Sequence, residues 1–281
     1  MSISVLTIVK NRAYHLAQLV EGLRRSTVPP DELVIIDMGS TPGLIAPNAS
    51  FPIRLVAFER PGLPLSAARN AAARMARGEH LLFLDVDCIP MRSLVGEMHD
   101  LLERADDLIC AEAFYLGPTD ARDGWNEESL TLSAKSHPVR KFPTTGIRVE
   151  QNAGLFWSLV FGIRHRRFTD LKGFDEAFNG YGAEDTDFGF RAQRAGVPLL
   201  FKGGAGAFHQ HHDMFDPPLQ HLEDIVRNAQ LFHDRWKFWP MDGWLDQFAN
   251  MGLIARTENR IILLRPASAA EHLNARRSSA F

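Results

Sequence analysis

The chain has 281 residues, 45% hydrophobic and 23% charged, enough apolar material for one large core or two modest ones and unlike the composition of a disordered chain. A formal net charge of -3 and a sequence pI near 6.4 exclude a global positive field for nucleic acid or an anionic membrane, so an anionic ligand must be held by local groups. Two cysteines, Cys88 and Cys110, neither in a CxxC pair, argue against a disulfide framework and fit a reducing, cytoplasmic setting, and the N-terminal run MSISVLTIVKNR predicts neither a signal peptide nor a spanning helix.

Taken in chain order, the first half alternates short apolar runs with helical patterns. Ser4 to Val9, Glu32 to Asp37, Ile53 to Phe58 and His80 to Asp87 are continuous apolar runs of strand length, as a sheet covered on both faces requires. Tyr14 to Arg25 carries Leu16, Leu19, Val20 and Leu23 at 3/4 spacing, and Ser66 to Arg77 is Ala-rich, with Ser66 as its expected N-cap and Gly78 as its stop. Strand, helix and strand repeated this way predict a parallel α/β sheet, in which ligands bind beyond the carboxyl ends of the strands. Gly117 to Gln151 has three prolines, polar clusters and no clear period, consistent with a long excursion that covers an acceptor site. The basic run Arg164 to Arg167 reads as a solvated helix face. After Pro218 the spacing of Leu219, Leu222, Ile225, Val226 and Ala229 predicts a helix, followed by Trp236, Trp239 and Trp244, whose default role is packing, with a subunit or lipid contact as the alternatives. The closing NARRSSAF is expected to fray.

Three constellations carry chemistry. LLFLDVDCIPM places Asp85 and Asp87 at the end of an apolar strand, where an i, i+2 spacing on extended chain turns both carboxylates to one side while Val86 anchors the other. They suit a divalent cation or a ribose, although a solvated strand end would carry the same acids. GFDEAFNGYGAEDTDFGFRAQRAG predicts a helix from near Ala183 to Gly196 with Glu184, Asp185 and Asp187 in its first turn, a site for acids through the helix dipole alone. The glycines Gly180, Gly182 and Gly189 around Tyr181 imply a backbone that comes close to something, as a bound ring demands. GAFHQHHDMFDPP reads as a polar loop carrying His209, His211 and His212; imidazole and carboxylate are donors that Mn²⁺ accepts, and the loop from His211 to Pro218 is a candidate lid. Cys88 reads as a small buried filler.

In order along the chain, TIVKNRAYHL, IIDMGS, LLFLDVDCIPM, GFDEAFNGYGAEDTDFGFR and HQHH resemble the GT-A glycosyltransferases, family 2 in particular, and their relatives the β-1,4-galactosyltransferases and polypeptide N-acetylgalactosaminyltransferases. The resemblance covers roughly Ser2 to Asp213. It implies a GT-A fold, a Rossmann-like mixed sheet flanked by helices, over residues 1–216, divided into a nucleotide-binding half (1–115) and an acceptor and metal half (116–216), with a helical C-terminal extension over 217–281. It also implies an inverting, metal-dependent transfer from a UDP-sugar to a saccharide, glycolipid or other hydroxyl acceptor. Position by position, Thr7, Val9, Asn11 and Arg12 match the nucleotide loop, Asp37 the acid that reads uracil, and Arg69 a basic nucleotide contact. Asp85 matches the ribose ligand and Asp87 the metal ligand within the Asp85-Val86-Asp87 motif, and His209 and His212 match the remaining protein ligands of Mn²⁺ (or Mg²⁺), with His211 an alternative to either. Trp157 matches a residue lining the donor site, though core packing would also use it; Tyr181 matches the acceptor platform, Glu184 the sugar-hydroxyl contact and Asp185 the general base. Tyr181 stands where the family usually has Trp, and Ala183 where it usually has Gly. Neighbouring acids and donor phosphates raise the pKa of Asp185 and the helix N-terminus lowers it, and both directions stay open at this level. A retaining transferase, a metal-dependent hydrolase and a silent nucleotide-sugar binder are the competing readings. A homodimer and a peripheral membrane contact are compatible with the aromatic C-terminal region.

Overall fold

The computed structural model describes residues 1–122 and 124–277. β1 (Ile3–Val9), α1 (Ala13–Arg24), β2 (Glu32–Asp37), β3 (Ile53–Ala57), α2 (Leu65–Met75) and β4 (His80–Leu84) form the alternating first half. Alternate side chains of each central strand go to opposite faces. Val5, Val9, Leu33, Ile35, Leu82 and Leu84 meet Leu16, Leu19, Val20 and Leu23 of α1. Leu6, Ile8, Val34, Ile36, Leu81 and Phe83 meet the alanine face of α2. Small residues on α2 let it lie close to the sheet. Ser66 is one of its buried residues, with an unpartnered hydroxyl, and does not cap it: the N-cap position is Pro64, which has no side-chain donor or acceptor.

The second half adds β5 (Cys88–Pro90), α3 (Leu94–Arg104), β6 (Leu108–Tyr115), α4 (Glu127–Ser133), β7 (Ile147–Glu150), β8 (Val160–Arg164), α5 (His165–Asp170), α6 (Glu184–Arg194) and β9 (Leu199–His209). The main sheet runs β3-β2-β1-β4-β8-β6-β9-β5, with β7 also on β9. β3, β2, β1 and β4 are parallel, whereas β8 pairs antiparallel with both β4 and β6, so the sheet is mixed, as the GT-A resemblance implied. The 117–151 excursion is more ordered than its composition suggested. It contains α4, whose start is fixed by a reciprocal capping box between Asn126 and Ser129, and β7, which lies along β9. Arg164 to Arg167 divides: Arg164 donates to the carbonyls of Leu102 and Glu103, Arg167 pairs with Asp106, and Arg166 faces solvent.

Beyond β9 come β10 (Met214–Phe215), α7 (Leu222–Trp236), α8 (Asp242–Asn250), the hairpin β11 (Ile254–Arg256) and β12 (Ile261–Leu263), α9 (Ala269–Ala275) and β13 (Arg276–Arg277). Leu222, Ile225 and Ala229 of α7 pack with Leu245 and Phe248 of α8 and Ile254 and Ile261 of the hairpin. The three tryptophans are half-buried in packing contacts: Trp239 stacks on His233, Trp236 packs on Phe190 and Phe232, and Trp244 lies near Tyr181. The expected fraying of NARRSSAF does not hold for residues 274–277, because they close α9 and pair antiparallel with β10; residues 278–281 lie outside the described residues. Among the described residues, no helix is long and apolar enough to cross a membrane.

Candidate active site

β1 and β4 pair only from Ile3 opposite His80 to Leu6 opposite Phe83, and their carboxyl ends then part. β2 lies on one side of β1 and β4 on the other, so the parting is a topological switch point, where an open α/β sheet leaves a crevice. The central apolar run ends there, at Leu84 and not at Asp87. Asp85 to Asp87 form a turn closed by the Cys88 N–H donating to the Asp85 carbonyl at 2.9 Å. The two acids therefore meet through a turn and not through the same-side rule of extended chain. Asp85 Oδ1 accepts from the Val86 N–H at 2.9 Å, and Val86 is buried in the core beneath α1.

The histidines do not lie in one polar loop. His209 is the last residue of β9, opposite Cys88 of β5, and its ring stacks on Tyr115 at 4.7 Å. His212 follows in the loop, with Nδ1 against the Asp213 carbonyl at 3.0 Å, which turns Nε2 inward. Both Nε2 atoms end 3.4 Å from the Asp87 carboxylate, one on each oxygen. Gln210 ties the strand ends together by donating its N–H to the Asp87 carbonyl at 2.7 Å and its side-chain amide to the His15 carbonyl at 3.1 Å.

Asp87, His209 and His212 offer ligand atoms within 4.8 Å of one another, and Asp87 Oδ1 is buried with no hydrogen-bond partner. A carboxylate with one unsatisfied oxygen and an imidazole nitrogen facing each of its two oxygens is a donor set that fits a divalent cation. The electrostatics agree with an acceptor-rich pocket. Burial pushes the Asp87 carboxyl up, but His209, His212 and Arg12, whose Nη1 is 3.7 Å away, together hold it below its usual range. Burial lowers His212, leaving its ring neutral and able to ligate. Burial and the neighbouring Asp87 charge push Asp85 up to about 6.

The second group of acids sits at the start of α6. Glu184, 5% exposed, accepts from Arg69 Nη1 at 3.1 Å, and the same guanidinium covers the Phe174 ring. Burial and the adjacent Asp185 nevertheless raise Glu184 to about 7. Asp185 is raised mainly by burial, against the pull of Arg69 and of the Thr186 N–H, which donates to it at 2.7 Å. Asp187 does something different: fully buried, it accepts from Arg191 at 2.8 Å, Arg235 at 2.6 Å and the Trp236 indole at 3.0 Å, joining α6 to α7.

The glycines around Tyr181 are in close contact with protein and not with an open ligand space. A Cβ on Gly180 would lie 2.1 Å from the Asp224 carboxyl carbon of α7, and one on Gly189 would lie 2.6 Å from the Ala153 carbonyl. Tyr181 itself stacks on His221 at 4.4 Å with Trp244 beyond, so the C-terminal region supplies its backing. Burial pushes its phenol up, and the charges of Glu184, Asp185 and Asp85 add to the rise.

On the opposite rim, Asn11 Oδ1 accepts the Thr41 N–H at 2.7 Å, and the Asn11 N–H donates to Ser40 Oγ, which in turn donates to Asp37 Oδ1 at 2.7 Å. These bonds knit the loops after β1 and β2. Thr7 and Val9 lie within β1 itself, buried, with the Thr7 hydroxyl unpartnered; the loop begins at Lys10. Trp157 is half-buried, edge-on to His137 at 4.8 Å, and His137 meets Tyr115 beside His209. Sequence reasoning missed Tyr115, His137, His221 and Arg140, the last buried with its guanidinium over Trp157. Only Tyr115 had a usable signal, at the carboxyl end of the β-rich run LICAEAFY.

The chain matches the family described as glycosyl transferase family 2 over residues 4–174, and that described as the N-terminal domain of galactosyltransferase over residues 137–212. It is 27% identical over 241 residues to hyaluronan synthase of Pasteurella multocida, covering 75% of this chain and 24% of that protein. It is 25% identical over 246 residues to validoxylamine A glucosyltransferase of Streptomyces hygroscopicus subsp. limoneus, covering 75% and 52%. The chain thus spans about half or less of these relatives' lengths. Among solved structures it resembles GalNAc-T7 with UDP, GalNAc and Mn²⁺ (TM-score 0.57, 18% identity, 88% of this chain and 49% of that one) and S. aureus TarS 1-349 in complex with UDP (0.55, 16%, 82% and 64%). Those likenesses identify the fold as GT-A. With a family match across more than half its length, the chain belongs to glycosyl transferase family 2.

Proposed function

We propose that the chain is a metal-dependent, inverting glycosyltransferase that moves a sugar from a UDP-sugar to an acceptor hydroxyl. The observation that carries this reading is the convergence of Asp87, His209 and His212 at the switch point, with both imidazoles 3.4 Å from one carboxylate. Relatives named synthases and a glucosyltransferase, and fold neighbours solved with UDP, support the donor class.

Asp87, His209 and His212 would hold Mn²⁺ (or Mg²⁺), which when bound offsets the charge gathering on a diphosphate leaving group. Asp85 takes the ribose, Asp37 the uracil, and Asn11, Arg12 and the end of β1 through Thr7 and Val9 border the nucleotide. Arg69 orients Glu184 through their ion pair, and Glu184 takes the hydroxyls of the transferred sugar. Trp157 closes the donor side, Val86 borders it through the backbone of the Asp85–Asp87 turn that its buried side chain anchors, and Tyr181 offers its ring to the acceptor. An acceptor hydroxyl is a weak nucleophile at neutral pH, so Asp185 accepts its proton as oxygen attacks the anomeric carbon and the diphosphate departs from the far side. One such displacement inverts the anomeric centre. In this reading residues 1–115 bind nucleotide, 116–216 bind metal and acceptor, and 217–281 buttress the acceptor side. A cytoplasmic location is supported by two free, buried cysteines.

The test is calorimetry with a panel of UDP-sugars, with and without Mn²⁺, on the wild type and on His212→Ala. Donor binding is expected to require the metal and to weaken about 10- to 100-fold in the variant. Binding indifferent to Mn²⁺ overturns the metal assignment, and no binding overturns the donor. Asp185→Asn should lower kcat by about 10²- to 10⁴-fold with donor affinity intact, and NMR of the product's anomeric proton decides between inversion and retention.

A further inference from the structure

We propose that His80, His99 and Glu103 form a second cation site, of the kind that takes Zn²⁺, at the opposite end of β4 from Asp85. His80 opens β4, whereas His99 and Glu103 stand one turn apart on α3, which packs across that strand. Their ligand atoms lie within 4.8 Å of one another. The five residues of β4 put this group roughly 15 Å from the Asp87 site, too far for one ion to serve both.

The geometry is that of converging lone pairs. His80 Nδ1 and His99 Nδ1 are 3.0 Å apart, so a single proton is shared between two nitrogens. Two Zn–N bonds of about 2.05 Å at a tetrahedral angle separate their nitrogens by about 3.3 Å, so replacing that proton with an ion needs only a few tenths of an ångström. His80 is fully buried, and its Nε2 has no hydrogen-bond partner, so the ring is held by packing with Nδ1 turned toward His99. Glu103 supplies the anionic ligand, with a ligand atom within 4.8 Å of one on each imidazole; its Oε1 lies 3.7 Å from His99 Nε2, the other nitrogen of that ring, and also holds the Met1 amino group at 3.1 Å. His99 and Glu103 are 23% and 31% exposed, which leaves an entry path and room for water as a fourth ligand. An ion there would clamp α3 to the strand whose far end carries Asp85.

The experiment uses the full chain with His209→Ala and His212→Ala, so that failure of the first metal site leaves it unaffected, and Zn²⁺ alone as probe. Calorimetry should read one equivalent of uptake, with a melting temperature raised by about 3 °C or more. Adding His99→Ala should abolish both effects, and adding Glu103→Gln should weaken uptake at least about tenfold; both positions are partly exposed, and circular dichroism in chelator verifies folding. Co²⁺ in place of Zn²⁺ should give the visible absorption of a tetrahedral site, lost in His99→Ala. No uptake in the double variant, or uptake unchanged by His99→Ala and Glu103→Gln, reduces the pair to a hydrogen bond and overturns the proposal.

Discussion

Glu184 and Asp85 are carboxyl groups that burial raises to about 7 and about 6, from ordinary values of 4.5 and 3.8. Between the unfolded and folded values the native protein holds protons that the unfolded chain has released, so each contributes stability at low pH that is lost as pH rises toward its folded pKa. Buried His80 and half-buried His15, His137, His212 and His221 are shifted down by desolvation and act in the opposite sense, so the sign is read from a difference and not from the total. Glu184→Gln keeps the neutral shape. Its melting temperature relative to wild type is expected to climb from pH 5 to pH 7.5 in metal-free protein, by scanning calorimetry; a flat or falling difference contradicts the raised pKa. Beside it, Ala183 holds φ +72°, a left-handed conformation that costs an alanine about 1 kcal/mol. Its buried methyl against Phe178 and Phe232 offsets roughly 0.8 kcal/mol of that, which accounts for a residue other than glycine at this turn.

At the scale of elements, α7 shapes the loop that carries Tyr181. Buried Asn228 donates its amide to the carbonyls of Asn179, Tyr181 and Gly182 at 3.1, 3.3 and 3.0 Å, and the Tyr181 N–H donates to Asp224 at 3.3 Å. Asn228→Ala strands three carbonyls. It is expected to cost about 2 kcal/mol in a urea titration and, if Tyr181 is the acceptor platform, to raise the acceptor KM more than the donor KM. Equal effects on both would detach this brace from the acceptor side. β9 shows a related economy of space: residues 203–206 bulge opposite Glu112 of β6, and a Cβ on Gly206 would lie 2.1 Å from the Glu112 carbonyl, so glycine lets β9 close that bulge, pair again at Ala207 and carry His209 to the site.

Across the whole molecule, Asp187 holds α6, at the edge of the main sheet's helices, and α7 of the C-terminal region together. Its carboxylate, fully buried, is shared by Arg191 of α6 and Arg235 of α7, and Arg235 also pairs with Asp175. Asp187→Asn leaves two guanidinium groups competing for a neutral amide, and the expected loss is about 3 kcal/mol of unfolding free energy, measured by denaturant. Donor binding at pH 7 should persist in the protein that remains folded. A variant as stable as wild type would show that apolar contacts alone hold the two regions together.

How much of this was legible beforehand follows from the range of each interaction. The first four strands and two helices were readable because strands buried on both faces are continuous apolar runs and α1 repeats at 3/4 spacing, patterns set within a few residues. Asp85, Asp87, Glu184, Asp185, His209 and His212 were readable as chemistry, by residue type and order. β9 was not, since its glycines answer to the backbone of β6 and the 143–145 segment, which no local pattern reports. Residue sequence by itself determined the alternating architecture, the acidic strand end and the family to which the chain belongs. Tertiary structure alone decided that Asp185 and Asp187, two residues apart, have different surroundings, that Tyr181 rests on His221, and that Asp87 meets imidazoles more than a hundred residues away. Those outcomes depend on which surfaces are pressed together and dried, and burial and long-range charge are properties of the packed chain, not of any segment of it.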